Sequence, residues 1–132
     1  MTLEASVLTE QAVRRTAAGY EVDLHLPWYR SLPLSCLEDL AIRLGGQAAD
    51  RESLRVLRAG RLLALGALAT QVDEEWFVQD PITVAVPAPS PTPSGQVIDV
   101  EVTVTLRIPY IIIGPGKALT RPTRVRRRVV LQ

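Results

Sequence analysis

The chain has 132 residues, 47% of them hydrophobic, and a net charge of +1, and a folded domain of this size buries roughly two-thirds of the surface of its unfolded chain, enough for one core and too little for two. Its 22% of charged residues argue against an intrinsically disordered chain and against a uniformly basic nucleic-acid binder. One cysteine, Cys36, makes no internal disulfide and one histidine, His25, builds no zinc site by itself, while the absence of an apolar leader or of a run near the roughly 18 residues of a membrane span leads to the expectation of a cytoplasmic, metal-free chain.

Period-2 alternation dominates the chain. Tyr20, Val22, Leu24 and Leu26 share one side and Glu21, Asp23 and His25 the other, the pattern of a half-buried strand. Ala17-Ala18-Gly19 just before it is a turn that pairs this strand with residues 11–16 in a hairpin. Leu40, Ile42 and Leu44 alternate with Ala41 and Arg43 up to Gly45-Gly46, and Leu54, Val56 and Arg58 alternate with Arg55 and Leu57 up to Ala59-Gly60. Residues 61–71 alone have a helical composition, and Gly66 limits them to a short helix or a turn-rich connector. Ile82, Val84 and Val86 form another strand, and the surface loop that follows, 86–96, overlaps a stretch, 85–94, that carries four prolines.

The most secure strand covers residues 97–108, VIDVEVTVTLRI, with Val100, Val102, Val104 and Leu106 on one face and Asp99, Glu101, Thr103, Thr105 and Arg107 on the other. Pro109 breaks its phase, and residues 110–113 continue it on a bulge or in a second sheet. Residues 114–123 read as a second surface loop, and a final strand starts near Thr123. Charge is uneven: residues 1–101 carry eight arginines against all fourteen acids, a net of −6, and residues 102–132 carry seven cations and no acid. Because the end of the chain is Val129-Val130-Leu131, a closing strand whose arginines face water or the acidic remainder of the domain is favoured over a nucleic-acid arm. The expected fold is an all-β, single-domain antiparallel β-sandwich of about seven to nine strands spanning residues 1–132.

Motifs of chemistry are sparse. Asp73-Glu74-Glu75 reads as a solvated turn entering a strand, because adjacent strand residues point to opposite faces and a glycosidase pair must converge. Ser35 and Cys36 lack a nucleophile elbow or a base at a motif spacing, so the thiol is read as packing. Gly114-Pro115-Gly116-Lys117 lacks the frame and the following helix of a phosphate-binding loop. What stands out is LPWYRSLPLSCLED over residues 26–39. Trp28, Tyr29, Arg30, Leu32, Pro33 and Leu34 concentrate aromatic, arginine and aliphatic side chains between prolines, the composition of a protein–protein hot spot. The competing reading folds Trp28 and Leu32 back onto the core.

The run LPWYRSLPLSCLEDLAIRLGG, followed by VDEEWFVQDPITVAV and VIDVEVTVTLRIPYI, resembles the small β subunit of the bacterial C-glycoside deglycosidases. The matching blocks span about residues 20–113. A proline-rich stretch replaces an expected glycine-rich turn at 87–94, and Trp76-Phe77 stands where a Trp-Trp pair is common. The resemblance implies a heteromeric lyase: a noncatalytic β subunit supports a TIM-barrel α subunit, similar to sugar-phosphate isomerases/epimerases. That α subunit holds a divalent metal, commonly manganese, and cleaves the carbon–carbon bond between a 3-oxo-sugar and an aromatic aglycone. On this reading the chain carries no cofactor and no catalytic residue and binds neither nucleic acid nor membrane. The alternatives are a stand-alone carbohydrate-binding β-sandwich with Trp28 and Trp76 as stacking platforms, and a catalytic sandwich using His25 with Glu38 or Asp39.

Overall fold

The computed structural model describes residues 6–132 and consists of antiparallel strands in two layers with a small third sheet at one end. The first layer is built from β1 (Val13–Arg15), β2 (Gly19–Leu24), β9 (Ile82–Pro87), β6 (Arg55–Arg58) and β7 (Arg61–Ala64), in the order β1-β2-β9-β6-β7. The second is β11-β10-β4-β5, from β11 (Lys117–Val130), β10 (Val97–Gly114), β4 (Leu37–Leu44) and β5 (Gln47–Ala48). The third sheet pairs β3 (Leu32–Pro33) with β8 (Glu75–Trp76).

The alternation read from the sequence is the alternation of burial. Tyr20, Val22 and Leu24 of β2, Ile82, Val84 and Val86 of β9, and every second residue of β10 from Ile98 to Ile108 enter one continuous core. Because side chains on a strand have a period of two, each of these strands offers one apolar face, and a sandwich closes when two such faces meet. Val7 and Leu8 add to the core ahead of β1, and Arg15 and Val13 exchange backbone hydrogen bonds with Gln132, which ties the chain end to the edge of the first layer.

On β11, Thr123, Val125 and Val129 are buried and Arg124, Arg126 and Arg128 are exposed. The exposed arginines meet the acids of the neighbouring strand: Arg124 lies 2.8 Å and Arg126 3.4 Å from Glu101, and Arg128 3.2 Å from Asp99. Arg127, in phase with the buried residues, is half-buried and donates to the Leu8 carbonyl at 3.0 Å. The basic end is therefore a closing strand laid against carboxylates of its own sheet. In the first layer, burial alone would raise the Asp23 carboxyl, yet hydrogen bonds from Arg14 at 2.7 Å and Thr83 at 2.7 Å outweigh it and hold the group below its usual value.

Three expectations change. Among the described residues there are eleven strands against the seven to nine expected, the excess being β3, β5 and β8, which are two residues long and too short to show a period. Residues 61–71 form β7 and a 3-10 turn over Leu65–Thr70. Residues 114–123 are a hairpin: only Pro115-Gly116 turns, with Gly116 at φ +67°, and β11 pairs with β10 from Lys117 onward. Pro122 is accepted there because β11 is an edge strand and needs no amide donor on its open side.

Cys36 is buried in a short 3-10 turn, Leu34–Cys36, and burial pushes its thiol above the ordinary value. A buried, protonated thiol is a weak nucleophile. Cys36→Ala should cost about 1–2 kcal/mol in thermal unfolding and leave the turnover of an assembled enzyme intact; abolished turnover in a folded, assembled variant would make the thiol functional.

Candidate functional site

The segment flagged in the sequence lies at the end of the sandwich where β10 outruns its neighbour. β4 pairs with β10 from Val100 to Leu106, and beyond that point β10 is paired only with β11. Pro109, with no amide hydrogen, opens a bulge: Ile108 stands opposite Leu119 and the next pair is Ile112 with Ala118, which leaves residues 109–111 without partners on β11. The bulge brings Tyr110 to the loop between β2 and β3.

The indole nitrogen of Trp28 donates to the Tyr110 hydroxyl at 2.5 Å, and the Tyr110 and Tyr29 hydroxyls share a bond of 3.5 Å. The rings of Trp28 and Tyr29 lie 4.8 Å apart, tilted by 40°. Arg30 places its guanidinium 5.0 Å from the centre of the Tyr110 ring and Arg121 of β11 lies 5.7 Å from that of Trp28, so the aromatic set is flanked by two cations. The hydrogen bond to Tyr110 raises the Tyr29 phenol. For Tyr110, desolvation acts upward, but the bonds from Tyr29 and Trp28 and the charge of Arg30 lower it overall.

The hot-spot segment divides by burial. Trp28 is only 7% exposed, and Leu32 and Leu34 are buried; all three pack in the core, so their side chains are not offered at the surface of this chain. Leu32 is placed there by pairing with Trp76 across β3 and β8, and the Leu34 amide donates to Glu74 at 2.6 Å. Pro33, opposite Glu75, is half-buried. Tyr29, 63% exposed, and Arg30 face solvent, joined by Tyr110. Phe77 and Val78 are also exposed, and the Val78 amide donates to Oγ of Ser31, the residue after Arg30, at 2.9 Å. Tyr110 and Arg121 escaped the sequence reading of this site; the phase break at Pro109 was the signal for the first, and nothing local marks the second.

The remaining chemistry does not converge. Glu74 is bound by Arg58 at 3.0 Å, Asp39 by Arg51 at 2.5 Å, and Arg107 lies 3.6 Å from Glu38. Glu38 and Asp39 are exposed on the second layer, whereas His25 follows β2 in the first. A concavity of about 500 Å³ on the second layer is lined by Arg43, Arg127 and the Arg126–Glu101 and Arg128–Asp99 ion pairs. Among the described residues no three His, Cys, Asp or Glu side chains are placed to hold one metal ion, and no helix is long and apolar enough to cross a membrane.

Comparison with known proteins decides the family. The model of the C-glycoside deglycosidase beta subunit family matches residues 2–110. This chain belongs to that family. A C-glycoside deglycosidase beta subunit of Arthrobacter globiformis is 37% identical over 131 residues, 99% of each chain. A 3'-dehydrocarminate deglycosidase beta subunit of a Microbacterium species is 32% identical over 114 residues, 86% of this chain and 84% of its own. A C-glycoside deglycosidase beta subunit of Microbacterium trichothecenolyticum is 32% identical over 113 residues, 86% and 85%. The stretch matched by the family model takes in the loop that carries Trp28, Tyr29 and Arg30 and ends on Tyr110.

Proposed function

We propose that this chain is the noncatalytic β subunit of a heteromeric C-glycoside deglycosidase, a cytoplasmic C–C lyase. Its partner is a TIM-barrel α subunit, similar to sugar-phosphate isomerases/epimerases, that holds the divalent metal and cleaves the bond between a 3-oxo-sugar and an aromatic aglycone. The observation that carries the proposal is the end-to-end similarity to a protein named as a beta subunit. The exposed Tyr29, Arg30 and Tyr110 support it, since aromatic and arginine side chains on a rigid base are what binding hot spots are made of. In this reading the β subunit stabilises the barrel and shapes the rim of its active site, and the metal is manganese held by α residues.

The test is reconstitution with the α subunit. The wild-type chain is expected to co-elute with it and to support turnover of a 3-oxo-C-glycoside. Arg30→Ala is expected to raise the dissociation constant roughly thirtyfold, about 2 kcal/mol, with the melting temperature of the subunit alone unchanged because the side chain is exposed. A wild-type chain that ignores the α subunit and binds glycoside alone would overturn the proposal in favour of a carbohydrate-binding module.

A further inference from the structure

Beyond Tyr110 the β10–β11 hairpin runs on to a tip with an unusual surface. Ile112 and Ile113, neighbours in sequence, are 63% and 62% exposed. Side chains of successive strand residues leave in different directions, so the tip is apolar on more than one side, and a flat partner surface would cover only part of it. The tip is pinned in shape by the bulges on both sides of the Ile112–Ala118 pair and by the Pro115-Gly116 turn. Its charges have one sign. Residues 102–132 contain no acid, Lys117 is exposed at the turn, and Arg121 and Arg30 flank the base of the hairpin.

We propose that residues 112–117 form a finger that inserts into an apolar cleft of the α subunit whose rim carries carboxylates. The inference rests on the α–β reading above and extends the Tyr29–Arg30–Tyr110 surface, since Ile112 lies two residues, about 7 Å of strand, beyond Tyr110. A cleft is required because isoleucines bare on more than one side are desolvated only by enclosure. An acidic rim is required because Lys117, exposed at the turn, would otherwise meet like charge or lose its hydration without a counter-charge. A second copy of this chain is disfavoured on the same ground, since two tips would bring their lysines and arginines together.

The double variant Ile112→Ser with Ile113→Ser, Lys117→Glu, and the remote control Leu62→Ser on β7 are compared in the reconstituted α–β complex. The double variant is expected to raise the dissociation constant at least about thirtyfold, Lys117→Glu about tenfold, and Leu62→Ser to leave it unchanged. Wild-type affinity should fall as salt rises, and the Lys117→Glu complex should respond less. Wild-type affinity in both tip variants would overturn the finger while leaving the subunit reading intact. Failure of the wild-type chain to bind the α subunit at all would strike the subunit reading instead. Two further outcomes would reassign the tip: a self-associated wild-type chain that the double variant makes monomeric points to a second copy, and co-sedimentation with phosphatidylglycerol vesicles that the double variant abolishes points to a lipid surface.

Discussion

Trp28→Ala is expected to destabilise the subunit by about 3–5 kcal/mol, the cost of emptying a large aromatic site in a packed core. That loss corresponds to a fall in melting temperature of roughly 10–20 °C for a chain of this length. The indole is buried in the continuous core, donates to the Tyr110 hydroxyl and lies against the Tyr29 ring and the Arg121 guanidinium. Its removal leaves a cavity and frees both the bulge at residues 109–111 and the loop that presents Arg30. Assembly with the α subunit should weaken as well, but as a consequence of misplacing Tyr29, Arg30 and Tyr110. Tyr110→Phe separates the two contributions, since it keeps the ring and deletes the acceptor, at a cost of about 1 kcal/mol. If Trp28→Ala melts within a few degrees of wild type and still fails to assemble, the side chain is an interface anchor and its burial in the free subunit is incidental.

The second large effect lies at the opposite end of β2. Gly19 has φ +152° and stands directly opposite Pro87 of β9. A Cβ there would overlap the carbonyl oxygen of Val86 and come within 2.5 Å of the Ala88 amide nitrogen. Both obstacles are backbone, so no rotamer change relieves them, and the Ala88 amide is itself held by the Ala18 carbonyl at 2.9 Å. Gly19→Ala therefore combines a backbone conformation closed to L side chains with a clash that pries β2 from β9. The expected destabilisation is at least about 3 kcal/mol. Gly66→Ala is the matched control: its added methyl meets nothing within 4 Å and its φ is not positive, so its effect should stay within about 1 kcal/mol. Thermal unfolding of the two variants side by side checks this, and a Gly19→Ala protein that melts with wild type would remove the close approach as a determinant of the fold.

Much of the framework was legible from alternation. The inward faces of β2, β4, β9 and β10 and the turn at residues 17–19 follow from a period of two and from glycine. The placement of Arg124, Arg126 and Arg128 on the outer face follows from the same period, and their pairing with Asp99 and Glu101 from the register of β11 on β10. The final strand from Thr123 was legible, but the first part of the far arm, residues 117–122, was not, because Gly114, Pro115, Gly116 and Pro122 are loop-forming residues wherever no partner strand is at hand; there β11 is a strand because β10 supplies the ladder.

By itself the sequence determined an antiparallel β-sandwich, a family resemblance carried by LPWYRSLPLSCLED, and the concentration of aromatic and arginine side chains in that segment. Which of those side chains turn inward was decided only by tertiary structure. Pro27 and Pro33 interrupt the alternation, so no period assigns Trp28, Tyr29, Arg30, Leu32 and Leu34 to a side. The sides are set instead by chain segments far away in sequence: Tyr110, 82 residues on, accepts a hydrogen bond from the Trp28 indole and fixes the ring inside, and Trp76 across the β3–β8 pair holds Leu32 in the core. Alternation is a local property of a strand and can be read one residue at a time, whereas the direction of a side chain on a loop is a property of whatever packs against it.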